Sequence, residues 1–177
     1  MTVIHANDPT TKVLSLLYEQ REDVLAHLTE TSTNGAVRRA LREDDTIMML
    51  GHGNKYGLFS APDKRGEYKR LLIDDSLVQF LRDKTCIGIW CNADQFAKRY
   101  GLHGLFSGMI ISELQEAIDN EIPATKDEID LEIRKFTLRL RDCIERYGLQ
   151  ETPIRMKEMD DVKSALTTFN YSNLYYF

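Results

Sequence analysis

The run Thr46-Ile47-Met48-Met49-Leu50-Gly51-His52-Gly53 decides how the chain is read. An uncharged, mostly apolar stretch stands between the acidic turn Glu43-Asp44-Asp45 and a histidine flanked by glycine on both sides. Such a run, bounded by turn signals, predicts a strand buried on both faces, as central strands of parallel sheets are. A second run has the same grammar: Cys86-Ile87-Gly88-Ile89-Trp90 passes directly into Cys91-Asn92-Ala93-Asp94. In each case a reactive side chain follows a buried strand.

Outward from these two runs, short apolar stretches alternate with longer segments of helical period. That alternation predicts an α/β domain with a mostly parallel sheet. Thr2 to Ala6 reads as a first strand, and Asp8-Pro9-Thr10 opens a helix, where proline is tolerated because its missing N–H would be unpaired anyway. Val24 to Leu28 reads as a strand, although a helix fits nearly as well. Asn34 caps a helix running to about Glu43. Gly57–Ser60 and Tyr68–Ile73 flank the turn Pro62 to Gly66 as a hairpin-like excursion. Asp75-Ser76 starts a short helix through Leu81. Asp94 to Tyr100 is a helix with Asp94 as its cap, Leu105 to Ile111 a strand, and Glu113 to Asn120 a helix. From Lys126 to Tyr147, Ile129, Ile133, Phe136, Leu140, Ile144 and Tyr147 form one apolar stripe, with a Thr125/Glu128 capping box and Gly148 as the stop. Asp161 to Phe169 is a last helix, with Val162, Ala165, Leu166 and Phe169 facing inward, and Leu174 to Phe177 is an edge strand or, as the lesser reading, a docking segment.

The 177 residues fit one domain spanning 1–177. Hydrophobic residues at 42% and charged residues at 29% are an ordinary globular mix, and the net charge of -5 lacks the basic footprint of a nucleic-acid binder. No stretch has the length of a membrane-spanning helix, and the N-terminus has no signal-peptide pattern. Cys86, Cys91 and Cys143 are odd in number and irregular in spacing, so a reducing, cytoplasmic setting is expected rather than a disulfide framework.

Two parallel strands lying side by side would bring His52 and Cys91 to one rim, and open α/β sheets bind ligands beyond the carboxyl ends of their strands. Only the thiolate of a cysteine attacks, and a neighbouring imidazole can take its proton and later protonate a leaving amine. A helix starting just after Cys91 would favour the thiolate further. The N–H of Gly53 and that of Cys91 could form an oxyanion hole. Read singly, each residue has a plainer explanation. Cys91 alone would be a buried structural thiol, and His52 alone a satisfied loop histidine. Cys86 and Cys143 read as core residues. His103 reads as a loop histidine, with a substrate-loop role as the lesser reading. No His/Cys cluster has zinc spacing, so no metal and no cofactor are expected.

An apolar strand ending in His-Gly, followed by an apolar strand ending in Cys, resembles the superfamily of caspases, metacaspases, legumains, gingipains and clostripain (clan CD peptidases). The likeness covers most of the chain. It implies a caspase-like, three-layer α/β/α sandwich with about six mostly parallel strands. It also implies a cysteine peptidase in which His52 and Cys91 act as a dyad, with Gly53 in the oxyanion site. The chain departs from the pattern at Ile89. Two residues before the cysteine, the superfamily carries an acidic residue or, in caspases, glutamine, and this residue lines the pocket for the side chain before the cut bond. Ser112 and Glu113 stand at the end of the following strand, which also lines that pocket. Glu113 would restore a preference for Arg or Lys by charge pairing, or simply serve as a carboxylate at a helix N-terminus. The expected partner is a peptide or protein substrate, with no nucleic acid and no membrane; the sequence leaves the oligomeric state open. Two other readings stand beside the peptidase. One is a catalytically inactive caspase-like module that binds a peptide or protein partner. The other is a doubly wound domain that binds a small ligand, the thiol being incidental.

Overall fold

The computed structural model describes residues 1–177. Its elements run β1 (Thr2–His5), a 3₁₀ helix (Pro9–Leu17), β2 (Ala26–Leu28), α1 (Asn34–Glu43), β3 (Thr46–Leu50), β4 (Gly53–Asn54), β5 (Gly57–Phe59) and β6 (Leu71–Ile73). A second 3₁₀ helix (Asp75–Phe80) leads to β7 (Thr85–Ile89), α2 (Ala93–Tyr100), β8 (His103–Ser107), α3 (Leu114–Asp119), α4 (Lys126–Glu158), α5 (Ala165–Ser172) and β9 (Leu174–Tyr176).

Six strands form the central sheet in the order β2-β1-β3-β7-β8-β9. The first five run parallel and β9 closes the edge antiparallel to β8. The two runs that opened the sequence reading are the middle pair, β3 and β7, in register from Thr46↔Thr85 to Leu50↔Ile89. Side chains alternate across a strand, and here both sets are buried. Ile47, Met49 and Cys86 enter one core with Val37 and Leu41 of α1 and Phe96 of α2. Met48, Leu50, Ile87 and Ile89 enter the other with Leu14 and Leu17 of the first 3₁₀ helix, Phe136 and Leu140 of α4, and Tyr171 of α5. Helices thus cover both faces, an arrangement compatible with an α/β/α sandwich. No helix is long and apolar enough to cross a membrane.

Several boundaries differ from the sequence expectation. The first helix is 3₁₀, and Asp8 caps it by accepting from Thr10 N. Thr33, not Asn34, caps α1 by accepting from Ala36 N at 3.2 Å. Asn92, in a left-handed conformation at φ 68°, precedes α2, and Asp94 lies in its first turn, paired with Lys98 at 3.1 Å. β8 starts at His103 rather than Leu105 and ends at Ser107 rather than Ile111. Gly148 interrupts α4 at φ 73°, as a terminating glycine should, but a further helical stretch then continues to Glu158. The last helix begins at Ala165 because Asp160 first gathers the N–H groups of Val162 and Lys163, at 3.2 and 2.9 Å, into a turn. Val162 consequently faces solvent. The aromatic tail is the edge strand that was expected, and Phe177 exchanges backbone hydrogen bonds with Gly104 at 2.9 and 3.0 Å.

Candidate functional site

Beyond the ends of β3 and β7 the two chains diverge, and a small cavity opens between them. Gly51 N still donates to Ile89 O at 3.1 Å. His52 then leads into the β4–β5–β6 sheet, while Trp90 and Cys91 lead into α2. His52 and Cys91 line the same cavity, with Ile89, Ile110 and Ser112. It measures about 30 Å³, room for a water or two. An adjoining cleft of about 500 Å³ shares Thr10, Val13, Ser112 and Ile133 with it.

Trp90 holds the two loops together. Its indole N–H donates to Asn54 O at 3.1 Å, and its backbone N–H donates to Ser107 Oγ at 3.0 Å. A Cβ on Gly53 would lie 2.2 Å from Trp90 Cδ1 and 2.5 Å from Gly57 O, so glycine alone lets β4 pass this close.

The His52 imidazole is half-buried. Its Nε2 lies 2.8 Å from Thr10 Oγ1, and its ring packs against Tyr68 with centroids 5.4 Å apart. Thr10 Oγ1 and Tyr68 Oη both donate to the buried Asp8 carboxylate, at 2.8 and 2.7 Å. Burial alone would raise the Asp8 pKa, but the hydrogen bonds from Tyr68 and Thr10 and the nearby His52 outweigh it and hold the carboxyl below its ordinary value.

Cys91 is half-buried, and its sulfur faces Ile110 O and Glu116 Oε1, each at 3.8 Å. Burial first, and then the Glu116 charge, push the thiol up to about 12. The expectation that the imidazole and the α2 N-terminus would favour the thiolate is therefore not met in this conformation. No hydrogen bond joins Cys91 to His52, since the sulfur's contacts lie with Ile110 and Glu116. Glu116 is itself fixed. Its other oxygen accepts from Ser112 N at 2.7 Å, Ser112 Oγ at 3.1 Å and Glu113 N at 3.1 Å, which is the capping box of α3.

The backbone that follows His52 is set by the β4–β5 pairing. Phe59 N donates to His52 O at 2.8 Å, so His52 and Phe59 are a hydrogen-bonded couple. The antiparallel alternation then makes Gly53↔Leu58 a non-bonded couple, and the Gly53 N–H points away from β5. The Cys91 N–H has no acceptor within the protein.

The other expected residues divide. Ile89 is buried and lines the cavity, and Ser112 lines both the cavity and the cleft. Glu113 lines only the cleft and is the N-cap of α3. His103 is exposed at the start of β8, paired with Thr85 at the opposite end of the sheet from Cys91. Sequence reading missed Asp8, Thr10, Tyr68 and Glu116. For Thr10 the sequence carried no signal, because the fold alone places β1 beside β3 and so brings the start of the first 3₁₀ helix to this rim. For Glu116 the signal was its place three residues after a cap. No group of three or more His, Cys, Asp or Glu side chains is arranged to hold a metal ion.

No protein-family model and no curated protein sequence matches this chain.

Proposed function

We propose that the chain is a caspase-like cysteine endopeptidase acting through His52 and Cys91. The observation that carries this reading is their convergence. Two adjacent parallel strands lead into an imidazole and a thiol that line one cavity, and the Cys91 N–H beside them has no acceptor within the protein. In the proposed reaction the thiol proton passes to His52 and the sulfur attacks the peptide carbonyl. The oxyanion rests on the N–H groups of Gly53 and Cys91. His52 then protonates the amine as the C–N bond breaks, leaving a thioester that water hydrolyses with His52 as base. Ile89, Ser112 and Glu113 are the proposed contacts for the side chain before the cut bond. Of these, Ile89 makes the inner wall apolar. Three free thiols suit a reducing compartment such as the cytoplasm.

The Cys91 contacts favour a second reading. A thiol facing Glu116 and Ile110, with none of its hydrogen bonds to His52, suits a caspase-like module that binds a peptide or protein partner without cleaving it. An irreversible peptidyl electrophile separates the two. The peptidase labels at Cys91 and loses the label in His52→Ala. Labelling of all three cysteines at equal rates, or of none, would leave the binding module.

A further inference from the structure

We propose that Asp8 and Thr10 are positioning residues that fix which nitrogen of His52 is free for Cys91. This rests on the reading of His52 and Cys91 as a working pair. An ionised carboxylate only accepts hydrogen bonds. Asp8 Oδ1 lies 2.8 Å from Thr10 Oγ1, so the hydroxyl commits its one proton there. The Thr10 oxygen, 2.8 Å from His52 Nε2, must then accept, and Nε2 carries the ring proton. Nδ1 is left with the lone pair and is the basic nitrogen available to the thiol.

The chain is held from several sides. Asp8 Oδ1 also takes Thr10 N at 3.0 Å, as the cap of its own 3₁₀ helix. Asp8 Oδ2 takes Tyr68 Oη at 2.7 Å, and the Tyr68 ring packs on the imidazole. Asp8 is only 6% exposed, so solvent competes little for the carboxylate. The groups around the imidazole are Asp8 and Tyr68 on this side, and Cys91 on the cavity side with Glu116 behind it. When the proton of Cys91 Sγ moves to His52 Nδ1, the Nε2 proton stays on Nε2 and is still donated to Thr10 Oγ1. The positive charge then faces a carboxylate across one hydroxyl, and no proton passes to Asp8.

The test is the rate at which iodoacetamide alkylates Cys91 near neutral pH, read cysteine by cysteine by mass spectrometry. Thr10→Val, Thr10→Ser and Asp8→Asn are each compared with the unmodified protein, alone and combined with His52→Ala. Asparagine retains the cap acceptor, so the 3₁₀ helix keeps its start. The expected result is about tenfold slower labelling in Thr10→Val and Asp8→Asn, the scale of a lost charge-assisted hydrogen bond. Thr10→Ser should stay within about twofold, and the His52→Ala background should erase both effects. Slowing of equal size with and without His52, or no slowing at all, overturns the proposal. Coupling in a protein that cleaves no peptide leaves this chain standing and ends the peptidase reading. Peptide cleavage by the unmodified protein, together with additive effects, does the reverse.

Discussion

Glu116 adds its charge to burial in holding the Cys91 thiol protonated. Its carboxylate is 3.8 Å from the Cys91 sulfur and is fixed in place by the Ser112 hydroxyl and the N–H groups of Ser112 and Glu113. A thiol raised to about 12 by burial and this charge forms little thiolate near neutral pH. Glu116→Gln keeps a capping-box side chain while removing the charge. The pH curve for Cys91 alkylation should therefore move to lower pH, with labelling near neutrality several-fold faster. Cys86, raised by burial alone, should not respond. A curve unchanged in Glu116→Gln would show that the carboxylate does not govern the thiol. At this scale, the two reactive residues were legible because each follows directly on an apolar strand. Their modifiers were not, because Asp8 and Thr10 at the start of the first 3₁₀ helix and Glu116 in α3 become neighbours of the pair only on folding.

The elements hold the site through close approaches that tolerate no extra atom. Gly104 in β8 sits at φ 133°, and a Cβ there would lie 1.8 Å from Cys86 O of β7. Gly104→Ala should destabilise the fold by about 2–4 kcal/mol, measured by urea unfolding, because backbone strain and a backbone clash add. Ser164 accepts from Thr167 N at 3.1 Å as the cap of α5. Ser164→Ala should cost about 1 kcal/mol in the same assay. The α5 helix also shows how far patterning reads. Leu166 packs inward as its period implied, but Ala165 of the same stripe is exposed and Val162 lies outside the helix. An apolar period reports which face is buried. The start depends on a local contest for N–H groups, won here by Asp160. The stripe of α4 was legible along Ile129, Ile133, Phe136 and Leu140, all buried on one side of a regular helix, but Tyr147, assigned to the same stripe, is exposed next to the Gly148 break.

Across the whole molecule, β1 carries a pH dependence that the fold imposes. His5 is buried at the end of that strand, with Nδ1 3.0 Å from Tyr18 Oη and Nε2 3.3 Å from Thr11 Oγ1. Burial, and then the neighbouring His27, lower its pKa from 6.5 to about 4. Between those values the unfolded chain binds the proton and the folded one does not. The contribution is therefore present above pH 6.5 and is lost as pH falls toward 4. Unfolding free energy should drop by about 2 kcal/mol between pH 7 and pH 5 from this residue, and His5→Gln should remove that part of the slope. An equal slope in both proteins would assign the pH dependence to other groups. The sequence by itself determined the α/β alternation, the two central strands and the histidine and cysteine that follow them, because burial on both faces demands unbroken apolar runs bounded by turn signals. Tertiary structure alone decided that β1 lies beside β3 and brings Asp8 and Thr10 to the imidazole, and that the sulfur turns toward Glu116. Those outcomes depend on strand order and loop direction, which pair residues far apart in the chain through contacts that no local pattern encodes.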